Sequence, residues 1–448
     1  MRPYFGCVSH PNEQMTELIR TRNTPLEQAW HNSPCNVLYE LCKARPGKNI
    51  EIEVGGAVFA LVQNAQTART ILRNKEGRYE RYFGRYADLF GASRLTVEDE
   101  GWRPLRDLSQ PHIVGTDPDQ LAAITQRQFN AVTQELAGHG DGSPILIDEI
   151  VDLAAASVIS EAVLGFPIAE WGAETIEDIR KILRLAAWEN FPVIGMSAVE
   201  QSFLTLDAED AKTALQLRFQ NMMASRNTSE TPSLIDTLAE ADPHTVDHFG
   251  EICTLLFAGF DTTASAITWA MFLLSNDPSL QARLRRQVAG FADSPNIKSD
   301  DVLALTDLSA FLLEALRIFP PIPVLSRIAK KDDEIGGFRV KANSRVLISI
   351  IGIQHDPGIF ANPFTVQIDR HPRGDLAREA AQSFLPFGDG KRICPGAKIA
   401  NLEALTALAV MLDKLRFDPV PARSVDLRWE ASMRQAGGTN LYVSRVPS

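Results

Sequence analysis

Cysteine is scarce: five residues in a chain of 448, at positions 7, 35, 42, 253 and 394, with no Cys-x-x-Cys pair. No histidine stands near them at zinc-ligand spacing. This excludes a disulfide-stapled scaffold and a cysteine-cluster metal site, and the odd count points to a reducing compartment. Positive charge is also short. The formal net charge is -11, so the molecule as a whole repels nucleic acid and anionic membranes. No basic stretch followed by an apolar segment opens the chain, so no signal peptide or membrane anchor is expected. Repeats, low-complexity tracts and flexible linkers are missing too. Long apolar runs are nearly absent. The exception, Ile252–Leu274, carries Asp261, Thr262, Thr263, Ser265 and Thr268 in its middle. Lipid would penalise those groups most at that depth, so the run reads as a helix buried inside a large protein.

What is present is an ordinary globular composition, 45% hydrophobic and 23% charged, enough to bury a large core. Alternating runs at Ile50–Val54 and Ala57–Val62, separated by Gly55 and Gly56, predict a hairpin. Helical spacing covers Ala65–Arg73, Trp102–Ser109, Leu146–Leu164, Thr175–Trp188, Ala208–Ala224 and Ser233–Ala241. Tyr79–Glu100 reads as loop. Asp242-Pro243 signals a helix running to Asn276, ~50 Å long at ~1.5 Å per residue, and Asp277-Pro278 signals the next. Asp307–Phe319 is helical up to the proline stop at 320–323. Strands are predicted near Glu334–Val340 and Arg345–Ile351, an irregular stretch over Asp356–Gly390, and a last long helix over Ala397–Leu415. The expected fold class is mainly α with small β-sheets (α+β).

The segment from Phe387 to Gly396, FGDGKRICPG, concentrates chemistry. Gly388 and Gly390 permit a tight turn, and Gly396 allows close backbone approach. Arg392 can neutralise an anionic group, and Cys394 stands where a helix amino terminus favours a thiolate. In the long apolar helix, Ala258 and Gly259 leave room for a cofactor plane, and the Thr262 hydroxyl can bond back to the Ala258 carbonyl. Glu314 and Arg317 lie three apart on one helical face. Trp102 and Arg106 share another.

Together these motifs resemble the cytochrome P-450 family, from about Ile50 to Val443. Phe387, Gly390, Arg392, Cys394 and Gly396 stand in the register of its haem-binding signature, with Gly388 between them as a further cofactor contact, Glu314 and Arg317 in its Glu-x-x-Arg motif, and Asp261-Thr262 in its acid–threonine pair. The resemblance implies one cytochrome P-450 domain over residues 1–448, with 1–45 bearing no motif, and a long helix crossing the haem. Haem b is the implied cofactor, with Cys394 as axial thiolate favouring O–O cleavage. Trp102, Arg106, Arg327 and Arg392 would contact the haem propionates. Arg370 would join Glu314 and Arg317 in a network holding the Cys394 loop. Asp261 would offer a proton path from solvent, and Thr262 would hydrogen-bond the reduced oxygen.

The implied activity is that of a soluble, cytoplasmic, monomeric monooxygenase of bacterial type, hydroxylating a lipophilic substrate with O₂. Fatty acids and terpenoid acids are the candidate substrates. Alternatives are an H₂O₂-driven peroxygenase, which would not need the acid–threonine pair, and a non-redox haem isomerase or dehydratase. No reductase length is appended, so a ferredoxin or flavodoxin with its reductase is expected as partner, docking at Arg103, Lys391 and Lys398. The substrate pocket is expected from Tyr79–Glu100, Trp188–Leu206, Pro320–Ser326 and the loop near Gly437. Leu89, Phe90, Leu95, Phe191, Val193, Ile194, Val324 and Leu325 would make it lipophilic. Arg81, Arg85 and Arg94 would hold a substrate carboxylate.

Overall fold

Alternating β-branched and aromatic residues build one main sheet of six strands. A computed structural model describes residues 18–20, 33–54, 57–83, 86–139, 142–172, 174–190, 198–225, 233–371, 380–421, 425–429 and 431–446. The sheet runs in the order Leu18–Arg20, Ile50–Val54, Ala57–Val62, Arg345–Ser349, Val324–Ala329, Tyr79–Arg81. The expected hairpin forms with Ile52 opposite Phe59; its Gly55 and Gly56 lie outside the described residues. Ala57–Val62 then pairs in parallel with Arg345–Ser349, so the sheet joins segments almost 300 residues apart.

Leu18–Arg20 forms where no element was expected, and two further strands of this sheet depart from expectation. Tyr79–Arg81 is an edge strand and Tyr86–Phe90 a short helix, inside a region read as loop. Val324–Ala329 is a strand directly after the proline stop. Each is defined by its partner: Arg81 pairs opposite Arg327, and Arg327 opposite Val346. Three residues give too short a period to read without that partner.

Helices make the rest of the body. The central helix is His248–Ser275, 28 residues long, or ~42 Å rather than ~50 Å. Its cap is Asp247, whose carboxylate accepts from the Gly250 N–H at 2.9 Å. Asp242 instead closes a turn, its carbonyl accepting from Thr245 and Val246, each at 3.0 Å. Both aspartates are good caps; the other Asp247 oxygen also takes the Ala92 N–H at 3.0 Å, which fixes the choice from outside the helix. The helix is long and apolar enough to cross a membrane, yet 72% of its most apolar window is buried inside the protein. It packs chiefly against Asp148–Ile159 and Ala397–Lys414. The first of these was expected to continue to Leu164. It passes instead into a wider π turn at Ser160–Leu164 and stops at Gly165, whose φ is 89°.

Other elements fall close to expectation. Asp277 caps Pro278–Gln287, and Ser233 caps Leu234–Glu240 with a capping box. The helix around Trp102 is longer than expected, Asp99–Val114. The helix ahead of the prolines is Thr306–Ile318. One continuous hydrophobic cluster runs through the helices, with smaller clusters under the sheet.

Candidate active site

Cys394 stands just ahead of the helix Ala397–Lys414, for which Gly396 is the cap. Its loop is a tight turn held by backbone bonds. The Cys394 N–H donates to the Phe387 carbonyl at 3.0 Å, and the Gly388 N–H donates to Leu385 at 3.0 Å. Gly388 and Gly390 have φ of 75° and 78°, a region that side chains disfavour. At Gly390 a Cβ would also lie 2.6 Å from the Leu72 carbonyl. The adjacent Asp389 anchors the loop from outside, accepting from Arg69 Nη1 at 2.6 Å and Arg73 Nε at 3.1 Å. Burial works to raise the Asp389 pKa, but the Gly390 N–H and these two cations hold it below the usual carboxylate range.

The Glu314 network supports the same loop from below. Glu314 takes two bonds from Arg317, at 2.8 and 2.9 Å, lies 3.4 Å from Arg370 Nε, and accepts from the Gln367 N–H at 2.9 Å. Arg370 therefore joins as expected, and His371, which the sequence reading missed, adds a bond at 3.2 Å. Burial would raise the Glu314 pKa, but bonds from His371 and Arg317 bring it down to about 2. Arg317 reaches on to the Gln354 carbonyl at 3.3 Å, and Gln354 Oε1 receives the Leu385 N–H at 2.9 Å. A continuous path thus leads from Glu314 to the turn that carries Cys394.

Above the loop lies a cavity of about 890 Å³ lined by Cys394, Phe387, Gly388, Arg392 and Gly396 on one side and by Ala258, Gly259, Asp261 and Thr262 on the other. Trp102, Arg106 and Arg327 line its edge. Cys394 is accessible toward this space but surrounded by protein. Burial pushes its thiol up, while the Gly396 N–H and the Arg94 charge pull it down.

Three arginines converge at the sheet edge. Arg81 and Arg392 both bind Glu98, the second at 2.9 Å, and both donate to the Val97 carbonyl, at 2.9 and 3.1 Å. Arg327 donates to the neighbouring Ser326 carbonyl at 2.8 Å, and among the described residues no carboxylate forms an ion pair with it. Burial lowers the pKa of Arg327 and of Arg392 to about 10. The indole of Trp102 has Arg392 at 4.0 Å and Arg106 at 5.3 Å from its ring centroid. A buried, uncompensated cation facing a cavity fits an anionic edge on the bound group. At Gly388 a Cβ would meet only Leu325, at 3.8 Å, so the backbone beside the thiol lies open. The donor set therefore fits haem: a thiolate on one face and cations at the rim.

The opposite wall is the central helix. Thr262 Oγ1 donates to the Ala258 carbonyl at 2.9 Å, as expected. Gly259 lines the cavity as expected, and a Cβ there would lie 2.4 Å from Ile159 Cγ1, so packing against the neighbouring helix requires the glycine too. One expectation needs correction. Asp261 does not open to solvent. It is 7% exposed, and its Oδ1 accepts from Arg434 Nη2 at 2.9 Å. Arg434 also binds Asp152 at 2.8 Å and lies 3.6 Å from Asp148, and Asp152 pairs in turn with Arg180. Asp261 Oδ2 has no hydrogen-bond partner. Sequence reasoning had no signal for Arg434, which lies 173 residues from Asp261. It also missed the fully buried Glu403, whose pKa burial pushes well up, and the pairing of Arg81 with Glu98.

The pocket expectations divide. Leu95, Val324 and Leu325 line the cavity, with Phe83, Tyr86 and Phe257 beside them. Leu89 and Phe90 are core residues instead. Trp429 and Ala431 reach the cavity, where Gly437 was expected. Arg81 pairs with Glu98, and Arg94 donates to Ser109 at 2.9 Å and Gln110 at 2.7 Å, while both also line the cavity. Arg85, Phe191, Val193 and Ile194 lie outside the described residues.

The fold and this thiol-and-arginine cavity define a haem-thiolate protein. The family model for cytochrome P450 matches residues 25–439. Cytochrome P450 734A1 of Arabidopsis thaliana is 34% identical over 454 aligned positions, covering 94% of this chain and 85% of its own length. Cyclooctatin synthase of Streptomyces melanosporofaciens is 36% identical over 184 positions, 41% of this chain and 40% of its own. Human cytochrome P450 4V2 is 24% identical over 81% of this chain and 75% of its own. The chain belongs to the cytochrome P450 family of haem-dependent monooxygenases; such enzymes use O₂, an organic substrate and a redox partner.

Proposed function

We propose that this protein is a haem b monooxygenase in which Cys394 is the axial ligand and Arg327, Arg392, Arg106 and Trp102 hold the propionates, with Arg81 added to that set. The observation that carries the reading is the Cys394 thiol, accessible in a cavity whose rim holds the buried Arg327 and whose far wall holds Thr262. Bound haem supplies the oxygen activation and the electron-rich iron. The chain's own part is to hold it, exclude water with apolar walls and move protons. Thr262 is the hydroxyl on the cavity wall, and Asp261 stands next to it as the acid. Their presence favours O₂ over peroxide as oxidant. Glu314, Arg317 and Arg370 keep the Cys394 loop in register.

The substrate we assign is lipophilic, of fatty-acid or terpenoid type. Support comes from the aromatic and aliphatic lining. With Arg81 and Arg94 otherwise engaged, apolar contact rather than a carboxylate clamp carries recognition. Electrons would come from a ferredoxin or flavodoxin with its reductase, docking where Arg103, Lys391 and Lys398 are exposed beside the exposed Ile393. The reading places a single monomeric domain, 1–448, in the cytoplasm.

Cys394→Ser tests the core of this proposal. The reduced carbonyl complex of the wild-type protein should show a thiolate-type spectrum, and the variant should lose it entirely. A variant that keeps the spectrum refutes the ligand assignment.

A further inference from the structure

A short strap, residues 91–97, joins the arginine rim to the start of the central helix. It is folded into one turn by bonds from the Thr96 and Val97 N–H groups to the Ser93 carbonyl, each at 3.0 Å. Leu95 at its tip lines the cavity and packs against the main hydrophobic cluster, so its position shapes an apolar wall. The rim holds one end of the strap: Arg81 and Arg392 both donate to the Val97 carbonyl, at 2.9 and 3.1 Å.

Two carboxylates of the central helix hold the other end. The Ala92 N–H donates to Asp247 Oδ2 at 3.0 Å, and the Arg94 N–H to Glu251 Oε2 at 2.7 Å. These acids stand four residues apart on one helical face, ~6 Å along the axis, and the amides they meet are on alternate residues of the strap. Helix and strap also touch backbone to backbone. A Cβ on Gly250 would lie 2.6 Å from the Ala92 carbonyl, and one on Gly91 3.2 Å from the Gly250 Cα. The two anchors differ. Asp247 serves the helix as well, as its cap. Glu251 is 0% exposed, its Oε1 has no hydrogen-bond partner, and the proposed chemistry makes no use of it. A buried carboxylate is costly to keep, and Glu251 directs its bonded oxygen at the amide next to Leu95.

We propose that Glu251 is a positioning residue for the substrate pocket: by fixing the Arg94 amide it sets where Leu95 enters the cavity, and so which bulky molecules are held there. The inference rests on the haem-thiolate reading of the site. An apolar wall discriminates by shape, and moving one side chain of it changes selectivity by about tenfold or more. Loss of the Glu251 anchor should therefore be felt by large ligands and not by small ones.

The test uses the haem-loaded protein and the dissociation constants of two iron-binding probes: imidazole, which needs no wall, and N-tritylimidazole, whose aryl rings fill the cavity. Glu251→Ala should weaken N-tritylimidazole about tenfold and leave imidazole unchanged. Leu95→Ala should do the same, and the double variant should lose no more than either, because both changes act on one contact. Glu251→Gln, which keeps an oxygen in reach of the Arg94 amide, should stay within a few-fold of wild type. If Glu251→Ala cannot be loaded, Glu251→Asp keeps the charge but shortens the reach, and should weaken N-tritylimidazole more than Glu251→Gln does. Equal losses for the two probes, additive losses in the double variant, or a Glu251→Asp protein that binds N-tritylimidazole as wild type does overturns the proposal. A wild-type protein with no thiolate-type carbonyl spectrum would instead overturn the haem-thiolate reading, so the two failures are distinct.

Discussion

Two buried ionic hubs flank the cavity, and they are opposite in sign. Below the cysteine loop one carboxylate, Glu314, is ringed by Arg317, Arg370 and His371. Beside the central helix one guanidinium, Arg434, is ringed by Asp148, Asp152 and Asp261. The first is closed at its central carboxylate: both Glu314 oxygens are bonded and backbone carbonyls take up the remaining Arg317 donors, while Arg370 Nε and His371 Nδ1 at its edge lack hydrogen bonds. The second is left open, with Asp261 Oδ2 and Arg434 Nη1 lacking hydrogen bonds. A satisfied buried network fixes structure, whereas an unsatisfied polar atom beside a cavity is costly to keep. The difference is that the first hub's central carboxylate has both oxygens bonded, while the second leaves a carboxylate oxygen, Asp261 Oδ2, unbonded in a residue that lines the cavity.

Removing each hub's central residue tests this contrast most strongly. Glu314→Ala strands two arginines in the interior and should cost ~3–5 kcal/mol, the range for breaking a buried pair. Arg434→Met should cost less, because the acids left behind can take up protons. Denaturant melts of both proteins would measure this, and equal losses would erase the distinction.

The closed hub also makes stability depend on pH. The Glu314 pKa falls from 4.5 unfolded to about 2 folded, so its contribution is complete above about 4.5 and is lost as pH falls toward 2. The loss is on the order of 3 kcal/mol. Unfolding midpoints recorded from pH 5 to 2 should fall less steeply in Glu314→Gln. Parallel pH curves for the two proteins would argue against the assignment.

Gly259→Ala probes the packing beneath the open hub. The added methyl collides with Ile159 and should cost ~1–3 kcal/mol. Ile159→Ala in the same chain should recover part of that, since the two atoms share one space. No recovery in the double variant would assign the cost to the cavity side instead.

The smallest effect on stability and a clear one on function is expected for Thr262→Ala. Its hydroxyl is bonded within the helix, so melting should change by well under ~1 kcal/mol. Product formed per reductant consumed should fall, with the balance appearing as peroxide. Unchanged coupling would remove Thr262 from proton delivery.

The sequence determined the local pieces on the cysteine side, because their physics is local. A glycine-bearing turn, a cysteine ahead of a helix and an acid three residues from an arginine are short-range patterns. Their positions could be read before any contact was known. So could the helical class, from apolar periodicity over long segments. Tertiary structure alone decided what those pieces meet. It paired Arg81 with Arg327 across a strand too short to recognise, started the central helix at Asp247 rather than Asp242, and set Gly259 against Ile159. It also closed Asp261 behind Arg434 from the far end of the chain. Those outcomes depend on burial and on ion pairs between residues as far apart in the chain as Asp148 and Arg434, and a linear pattern carries no information about which distant charge will be folded against which.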